Sequence, residues 1–284
     1  MNSTKQHLNV HPTAIVQDGA RIASDAQVGP YCVIGPNVKI GPGCRLHSHV
    51  IVDGDTEIGE GCNIFPTAVI GTQPQDKRLE PGYQGKLRIG NFNEIREGAT
   101  VHGGTEFGGG VTIVGNHNML LAGCHIGHDA VVGSHTVFTN GAMAAGHTQI
   151  ADYVILGAMA GIHQFGRIGA RAMIGAGAMM SHDAPPFAMV QGDRARLVGV
   201  NKEGLKRGGF SAEEIAVIKR VYRLLFWRDG VLEKRIADAR QFAGENVHAE
   251  MIIDFVATSE RGICATRGRT SRGEEGEASA SIGS

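Results

Sequence analysis

An aliphatic residue recurs at every sixth position along most of this 284-residue chain. The next residue is often Gly, and the residue four places on is nearly always small. The pattern covers about 175 residues with two interruptions, and a period of this kind is typical of a solenoid. The aliphatic positions are Val10, Val16, Ile22, Val28, Ile34, Ile40, Leu46, Val52, Ile58, Ile64, Ile70, Ile89, Ile95, Val101, Val114, Leu120, Ile126, Val132, Phe138, Ala144, Ile150, Leu156, Ile162, Ile168, Ile174 and Met180.

Each hexad is expected to form a short strand and a turn. The aliphatic side chain points inward, the small residue lies where the interior is narrow, and Gly supplies the turn. Three hexads per coil would give a triangular prism with parallel strands on each face, although spacing alone leaves that number and the hand of the coil open. Four of the five cysteines occupy the small inward position, which favours a compact apolar role over metal or redox chemistry.

Composition and charge narrow the class of protein further. Aromatic residues make up only 5% of the chain, and the formal net charge is -1, which gives no general attraction to nucleic acid or anionic membrane. The first residues lack the apolar segment of a signal peptide, and no apolar run approaches the roughly 18 residues of a membrane-spanning helix. We therefore expect a cytoplasmic protein with no membrane span and no nucleic-acid partner.

Histidines concentrate on one face of the expected prism. Counting three hexads per coil from Ile126 places the hexads at 70, 101, 144, 162 and 180 on the same face. Both interruptions, at about 71–88 and 102–112, leave from that face, and long loops in compact repeats are usually functional. His128, His147 and His163 then form a column framed by two loops, which is the candidate active site.

His128 is the candidate general base because Asp129 follows it directly. A neutral imidazole is a competent base near pH 7, and a neighbouring carboxylate can fix its tautomer and stabilise the imidazolium. No Ser or Cys stands out in the column as a nucleophile, so direct transfer to a bound acceptor is favoured over a covalent intermediate. We expect no cofactor and no bound metal.

The hexads resemble those of the hexapeptide-repeat acyltransferases, a resemblance that implies a left-handed parallel β-helix. Further motifs, in the same order as here, make the chain similar to the UDP-N-acetylglucosamine O-acyltransferases, the family that begins lipid A synthesis. These motifs are Gln75-Asp76, Ile95-Arg-Glu-Gly98, Gly108-Gly-Gly110, His125-Ile-Gly-His-Asp129, Ala145-Gly-His147, His163-Gln-Phe165, Asp183-Ala-Pro-Pro186 and Asn201-Lys-Glu-Gly-Leu-Lys-Arg207.

The resemblance implies an acyltransferase that moves a 3-hydroxyacyl group from acyl carrier protein to the 3-hydroxyl of UDP-N-acetylglucosamine. It makes His128 the base and Asp129 its orienting group, and the backbone amide of Gly146 would stabilise the oxyanion. It also implies a homotrimer with sites between subunits, in which the loops of one chain would close over the column of the next. The substrate-binding residues it implies are Gln75, Asp76, Arg78, His102, His125, His147, His163, Gln164, Asn201, Glu203 and Arg207, and it makes Met173 and Ala176 determinants of acyl length.

The sequence departs from the family pattern at three positions. Arg78 stands where the family usually has Lys, Gly103 where Arg is common, and Gly208 where a second Arg is common. The departures leave open how phosphate and carrier are bound. The small side chain of Ala176 favours a medium-to-long acyl chain.

We expect three parts along the chain: a β-helical acyltransferase domain over 1–190, a C-terminal helical domain over 191–262, and a disordered tail over 263–284. Ser211-Ala-Glu-Glu214 has the pattern of a capping box and predicts the start of a helix. Basic residues of the helical part could meet an acidic carrier protein, although a merely solvated face explains them equally well.

Two rival classes and two closer variants stay open at this stage. A γ-type carbonic anhydrase uses the same fold with three histidines on zinc, and stoichiometric bound zinc would favour it. A scaffold solenoid without chemistry would not need the His-Asp pair. A 3-amino sugar nucleotide could replace the 3-hydroxy acceptor. The N-acyltransferase that acts later in the same pathway normally carries an extra N-terminal domain, whereas here the hexads start by Val10.

Overall fold

The structure, a computed structural model, describes residues 9–266. Its hexads form three mainly parallel sheets, the three faces of a prism. The first face contains Ile15–Val16, Val33–Ile34, Ile51–Val52, Val69–Thr72, Thr100–His102, His125–Ile126, Met143–Ala144, Gly161–Ile162 and Met179–Met180. The second contains Arg21–Ile22, Lys39–Ile40, Asp55–Ile58, Lys86–Ile89, Val111–Val114, Val131–Val132, Gln149–Ile150 and Arg167–Ile168. The third contains Gln27–Val28, Arg45–Leu46, Asn63–Ile64, Glu94–Ile95, Met119–Leu120, Val137–Phe138, Ile155–Leu156, Met173–Ile174, Ala188–Gln191 and Arg196–Val200.

The register confirms three hexads per coil. Val16 pairs with Ile34, and Ile126 pairs with Ala144, so uninterrupted coils repeat every 18 residues. Across the interruptions Ile70 pairs with Val101, and Val101 with Ile126. The predicted common face for these hexads is therefore correct. Their aliphatic side chains are buried along a single narrow core, together with the four inward cysteines.

Three edges join the faces. The first edge follows the strands of the first face and carries Asp129, His147 and Phe165, all with positive φ. The second edge, between the second and third faces, carries Tyr153 and Arg171 in the same conformation. The third edge leads back to the first face. Residues at equivalent positions of an edge stack on one another from coil to coil, which places their side chains in columns.

Both predicted interruptions leave from the first face at the first edge. The first loop covers 73–85, between Val69–Thr72 and Lys86–Ile89. The second loop covers 103–110, between Thr100–His102 and Val111–Val114. Both are shorter than the sequence indicated, because the flanking strands extend beyond the hexad pattern.

The C-terminal part extends the third face before it becomes helical. Ala188–Gln191 continues the parallel sheet, and Arg196–Val200 pairs with it antiparallel. Four helices follow: α1 (Lys202–Arg207), α2 (Ala212–Phe226), α3 (Leu232–Ala243) and α4 (Val247–Ala257). The capping box at Ser211 and Glu214 is present, as predicted, while the short α1 was not predicted.

The first residues of the predicted tail are ordered. Ile263 bridges to Asp183, Thr266 bridges to Leu197, and the thiol of Cys264 is buried. The predicted disorder therefore does not hold for 263–266, because this segment pairs with backbone at the end of the solenoid. The rest of the predicted tail, 267–284, lies outside the described residues. Within 9–266, no helix is both long enough and apolar enough to cross a membrane.

Candidate active site

His128 and Asp129 form a buried pair at the first edge. The Nδ1 of His128 lies 2.8 Å from the Oδ2 of Asp129, and both residues are less than 8% exposed. The positive φ of Asp129, 57°, turns its side chain back toward the preceding imidazole. Because Nδ1 faces a carboxylate, it carries the proton, which leaves Nε2 as the basic nitrogen.

The second loop holds the carboxylate of Asp129 in place. The backbone N–H and the hydroxyl of Thr105 donate to Oδ1 and Oδ2 at 2.9 and 2.7 Å, and the N–H of Gly110 donates to Oδ1 at 3.2 Å. The hydroxyl of Thr112 accepts from the backbone N–H of Asp129 at 2.8 Å. Burial raises the pKa of this carboxyl, but the hydrogen bonds from His128 and Thr105 outweigh burial and lower it below its usual range. Asp129 is therefore ionised at neutral pH.

The next coil places Gly146 against the imidazole of His128. A Cβ at Gly146 would lie 2.6 Å from both Cε1 and Nε2 of that ring. Its carbonyl accepts from Phe165, whereas its N–H has no hydrogen-bond acceptor within residues 9–266. A free backbone donor beside the basic nitrogen is suited to stabilising an oxyanion.

His147 completes the column on the same coil. Its ring stacks on Phe165 at 4.5 Å and meets the ring of His128 edge-on at 5.0 Å. Its Nε2 lies 3.8 Å from the Oδ2 of Asp129. Burial lowers the pKa of His147, and although the charge of Asp129 opposes this, burial is the larger effect.

His102 and His125 lie on the preceding coils, with their ring centroids 4.8 Å apart. The Nδ1 of His125 lies 2.8 Å from the hydroxyl of Thr100. Burial, with the neighbouring histidines His125 and His128, lowers the pKa of His102 to about 4, and burial also lowers the pKa of His125. Both imidazoles are therefore neutral at pH 7 and can donate or accept hydrogen bonds without adding charge.

A groove of about 520 Å³ runs along these residues. His163 and Gln164 lie at its far end, exposed, and Gln75 enters it from the first loop of the same chain. Gln75 therefore lines the groove of its own chain. The groove is lined by Gln75, His102, His125, Gly127, His128, Met143, Ala145, Gly146, Gly161, Ile162, His163, Gln164, Met179, Met180 and Ser181.

Asp76 and Arg78 pair with each other within the first loop. The guanidinium of Arg78 donates two hydrogen bonds to Oδ2 and one to Oδ1 of Asp76, at 2.6–3.2 Å, and lies 4.9 Å from the ring centre of Phe107. This contact lowers the pKa of the Asp76 carboxyl far below its usual range. The pair thus links the first loop to the second, in which Phe107 lies.

One cluster within the described range 9–266 has donors close enough to hold a metal ion: His128, Asp129 and His147. The carboxylate of Asp129 already accepts four hydrogen bonds, one of them from His128. The set also lacks the three histidines expected for a γ-type carbonic anhydrase. The hydrogen bonds to Asp129 and the lack of a third histidine fit an acid-base pair better than a zinc centre.

Known proteins resemble this chain over nearly its whole length. The acyl-[acyl-carrier-protein]--UDP-N-acetylglucosamine O-acyltransferases of Thiobacillus denitrificans and Stenotrophomonas maltophilia are each 43% identical to it, over 254 and 253 residues that cover 89% of this chain and 98% and 96% of theirs. The chain belongs to the UDP-N-acetylglucosamine O-acyltransferase family. The family model for domain 2 of that enzyme matches residues 183–264, and a model for the GMPPB C-terminal domain matches 10–75.

Solved structures of UDP-N-acetylglucosamine O-acyltransferases share the fold. The Moraxella catarrhalis enzyme has a TM-score of 0.88 and 38% identity, covering 90% of this chain and 99% of its own. The Francisella novicida enzyme has a TM-score of 0.88 and 41% identity, covering 91% and 95%. These similarities confirm the predicted left-handed parallel β-helix with C-terminal helices.

Not every residue that the UDP-N-acetylglucosamine O-acyltransferase resemblance assigned to the site lies near the column. Asn201 is at the second edge, where its side-chain amide donates to the carbonyl of Arg171 at 3.0 Å and its Oδ1 accepts from Gly204 at 3.1 Å. Glu203, which pairs with Lys206, and Arg207 lie on α1, which Asn201 caps. Within one chain this group is on a different edge from His128.

Met173 and Ala176 lie away from the column as well. Met173 is on the third face, paired with Ile155 and Met189, and Ala176 is exposed at the third edge. Within one chain, the first face therefore separates Ala176 from the histidine column at the first edge.

The role of Thr105, Gly110 and Thr112 in holding Asp129 was not predicted from the sequence. Their signal is weak, because Thr105 and Gly110 lie in a loop about 20 residues from the carboxylate and outside the hexad pattern. Only the path of the second loop brings them to Asp129.

Proposed function

We propose that this chain transfers a 3-hydroxyacyl group from acyl carrier protein to the 3-hydroxyl of UDP-N-acetylglucosamine, the first step of lipid A biosynthesis. Relatives that match it nearly end to end are named acyl-[acyl-carrier-protein]--UDP-N-acetylglucosamine O-acyltransferases. The observation that carries the proposal is the buried His128–Asp129 pair beside the groove, with Nε2 adjacent to Gly146.

The Nε2 of His128 removes the proton from the sugar hydroxyl as its oxygen attacks the thioester carbon. The N–H of Gly146 donates to the resulting oxyanion, an interaction that can contribute several kcal/mol in such sites, ~3–4 by analogy. Asp129 stabilises the imidazolium. When the carbon–sulfur bond breaks, His128 returns the proton to the carrier thiol, so the base is regenerated and no acyl-enzyme forms.

Neutral imidazoles and amides bind the uncharged part of the acceptor. His102, His125 and His147 have pKa values lowered chiefly by burial, so they hydrogen-bond to sugar hydroxyl and acetamide groups without competing for the proton. His163, Gln164 and Gln75 extend this polar lining. Asp76 and Arg78, which follow Gln75 in the first loop, supply a paired charge beside this lining.

The residues that hold the nucleotide come from another copy of the chain. Asn201, Glu203 and Arg207 lie on the second edge, so a complete site requires the second edge of one subunit to face the first edge of its neighbour. A cytoplasmic homotrimer with three equivalent clefts satisfies this requirement. Acyl carrier protein would meet the groove of about 330 Å³ between the third face and α2, whose rim includes Lys202, Lys219 and Arg223.

The decisive assay mixes purified enzyme with a panel of 3-hydroxyacyl carrier thioesters and either UDP-N-acetylglucosamine or its 3-amino analogue. We expect ester formation with the 3-hydroxy sugar and a preference for one medium-to-long acyl chain, consistent with the small Ala176. Transfer to the amine alone would replace the proposed acceptor. Absence of transfer with both acceptors would reject the proposed function.

A further inference from the structure

Arg171 ends a ladder of stacked rings on the second edge. The ladder runs through Phe92, His117, His135 and Tyr153, with successive ring centres 4.7–5.2 Å apart. The guanidinium of Arg171 lies 4.0 Å from the ring centre of Tyr153 and 5.1 Å from that of Phe210. Two aromatic rings thus fix its position and leave its N–H groups for other partners.

No carboxylate neutralises this cation within the described chain. The ion pairs of residues 9–266 do not include Arg171, and its side chain is half-buried. The backbone carbonyl of Arg171 accepts from the side-chain amide of Asn201, the N-cap of α1, so the backbone of Arg171 and the start of α1 are held together. A guanidinium that is held in place and whose N–H groups form no ion pair is suited to binding a phosphate.

Gly208 leaves the space that the guanidinium uses. A Cβ at Gly208 would lie 2.8 Å from Nη1 of Arg171, although the φ of Gly208, -79°, is open to any residue. Arg207 precedes it directly and is exposed. The second edge therefore carries Arg171 of the solenoid and, next in sequence to the Gly208 that faces it, Arg207 of α1.

We propose that Arg171 is a phosphate-binding residue of this enzyme, acting with Arg207 on the diphosphate of the sugar nucleotide whose sugar lies in the neighbouring subunit's groove. The inference rests on the proposed function and deepens it. The diphosphate carries about two negative charges at neutral pH, which the two arginines of this edge match.

A purely structural role is the competing explanation, because Arg171 also connects the solenoid to the helical part. Arg167 offers a matched control. It lies 4.4 Å from the ring centre of Phe255, donates to the carbonyl of Thr258, and likewise joins the solenoid to the helices without an ion pair in the described chain. It lies on the second face, away from Asn201.

The experiment measures initial rates with varied UDP-N-acetylglucosamine at saturating acyl carrier thioester, together with inhibition by UDP and by uridine. Arg171→Met should raise KM for the nucleotide about tenfold, with kcat within about twofold, because one charge-assisted contact is lost. Inhibition by UDP should weaken similarly, and inhibition by uridine should not change. Arg167→Met should leave all these values near wild type.

Two further variants separate binding from folding. Gly208→Ala keeps Arg171 but displaces its guanidinium, so KM should rise in the same direction. Arg171→Met combined with Gly208→Arg returns a guanidinium to the vacated space and should recover part of the affinity. An unchanged KM in an active Arg171→Met enzyme would overturn this inference but not the proposed function. An equal weakening of inhibition by UDP and of inhibition by uridine would have the same meaning. If Arg171→Met does not fold, an unchanged KM in Gly208→Ala overturns it.

Discussion

The hydroxyl of Thr105 lies 2.7 Å from the Oδ2 of Asp129, the same oxygen that lies 2.8 Å from Nδ1 of His128. The hydroxyl of Thr105, in the second loop, and the imidazole of His128 are therefore joined through one shared carboxylate oxygen. Thr105 is a positioning residue: it fixes the carboxylate, and the carboxylate fixes the tautomer and orientation of the imidazole.

Replacing Thr105 by Val should reduce kcat about tenfold, because a hydrogen bond to a buried charge is lost while two backbone donors remain. KM for the sugar nucleotide should change little, since Thr105 does not line the groove. Steady-state kinetics test whether kcat falls while KM stays unchanged. Thr105→Ser restores the hydroxyl and should recover most of kcat, and a serine variant as impaired as the valine variant would contradict the role.

Gly146→Ala should reduce kcat about 100-fold, the order of effect that a displacement of about 1 Å can cause. The added Cβ would lie 2.6 Å from Nε2 of His128 and must push the ring away from its catalytic position. Single-turnover acyl transfer measures the effect. Gly109→Ala is the control, because a Cβ there meets nothing within 4 Å. Comparable rates for the two variants would argue against crowding of the base.

Stability should fall as the pH is lowered from about 6.5 to about 4. Burial lowers the pKa of His102 to about 4, so in this window the unfolded chain binds a proton that the folded chain does not. The midpoint of thermal unfolding, measured across this range, should therefore drop with pH. His102→Gln should make that drop shallower. A drop as steep as that of the wild type would show that His102 does not contribute.

Mixed oligomers test the proposed homotrimer with sites between subunits. His128→Ala removes the base from the first edge, and Arg207→Ala removes a cation from the second edge of the same chain. Each variant alone should be impaired, whereas trimers assembled from both should regain activity, because some clefts then pair two intact edges. Activity of co-expressed, separately tagged chains is the measurement. No gain over the separate variants would mean that each site uses residues of one chain.

The sequence predicts the solenoid well because a period of six fixes both burial and register. Once Ile126 and Ala144 are neighbours, the positions of His128, Gly146 and His147 follow. The contacts of Thr105 depend on the path of a loop outside that period. The stacking of Arg171 depends on Phe210, 39 residues further along the chain, and no local pattern encodes it.

The rate of acyl transfer by His128→Ala shows whether His128 is the general base. The variant should assemble as the wild type does, as judged by its mass in solution and its unfolding midpoint, because the imidazole contributes to the site rather than to the core. Single-turnover transfer from a 3-hydroxyacyl carrier thioester to UDP-N-acetylglucosamine should fall by at least about 100-fold, the range for loss of a general base. Transfer at a rate near that of the wild type would contradict the assignment of His128 as the base.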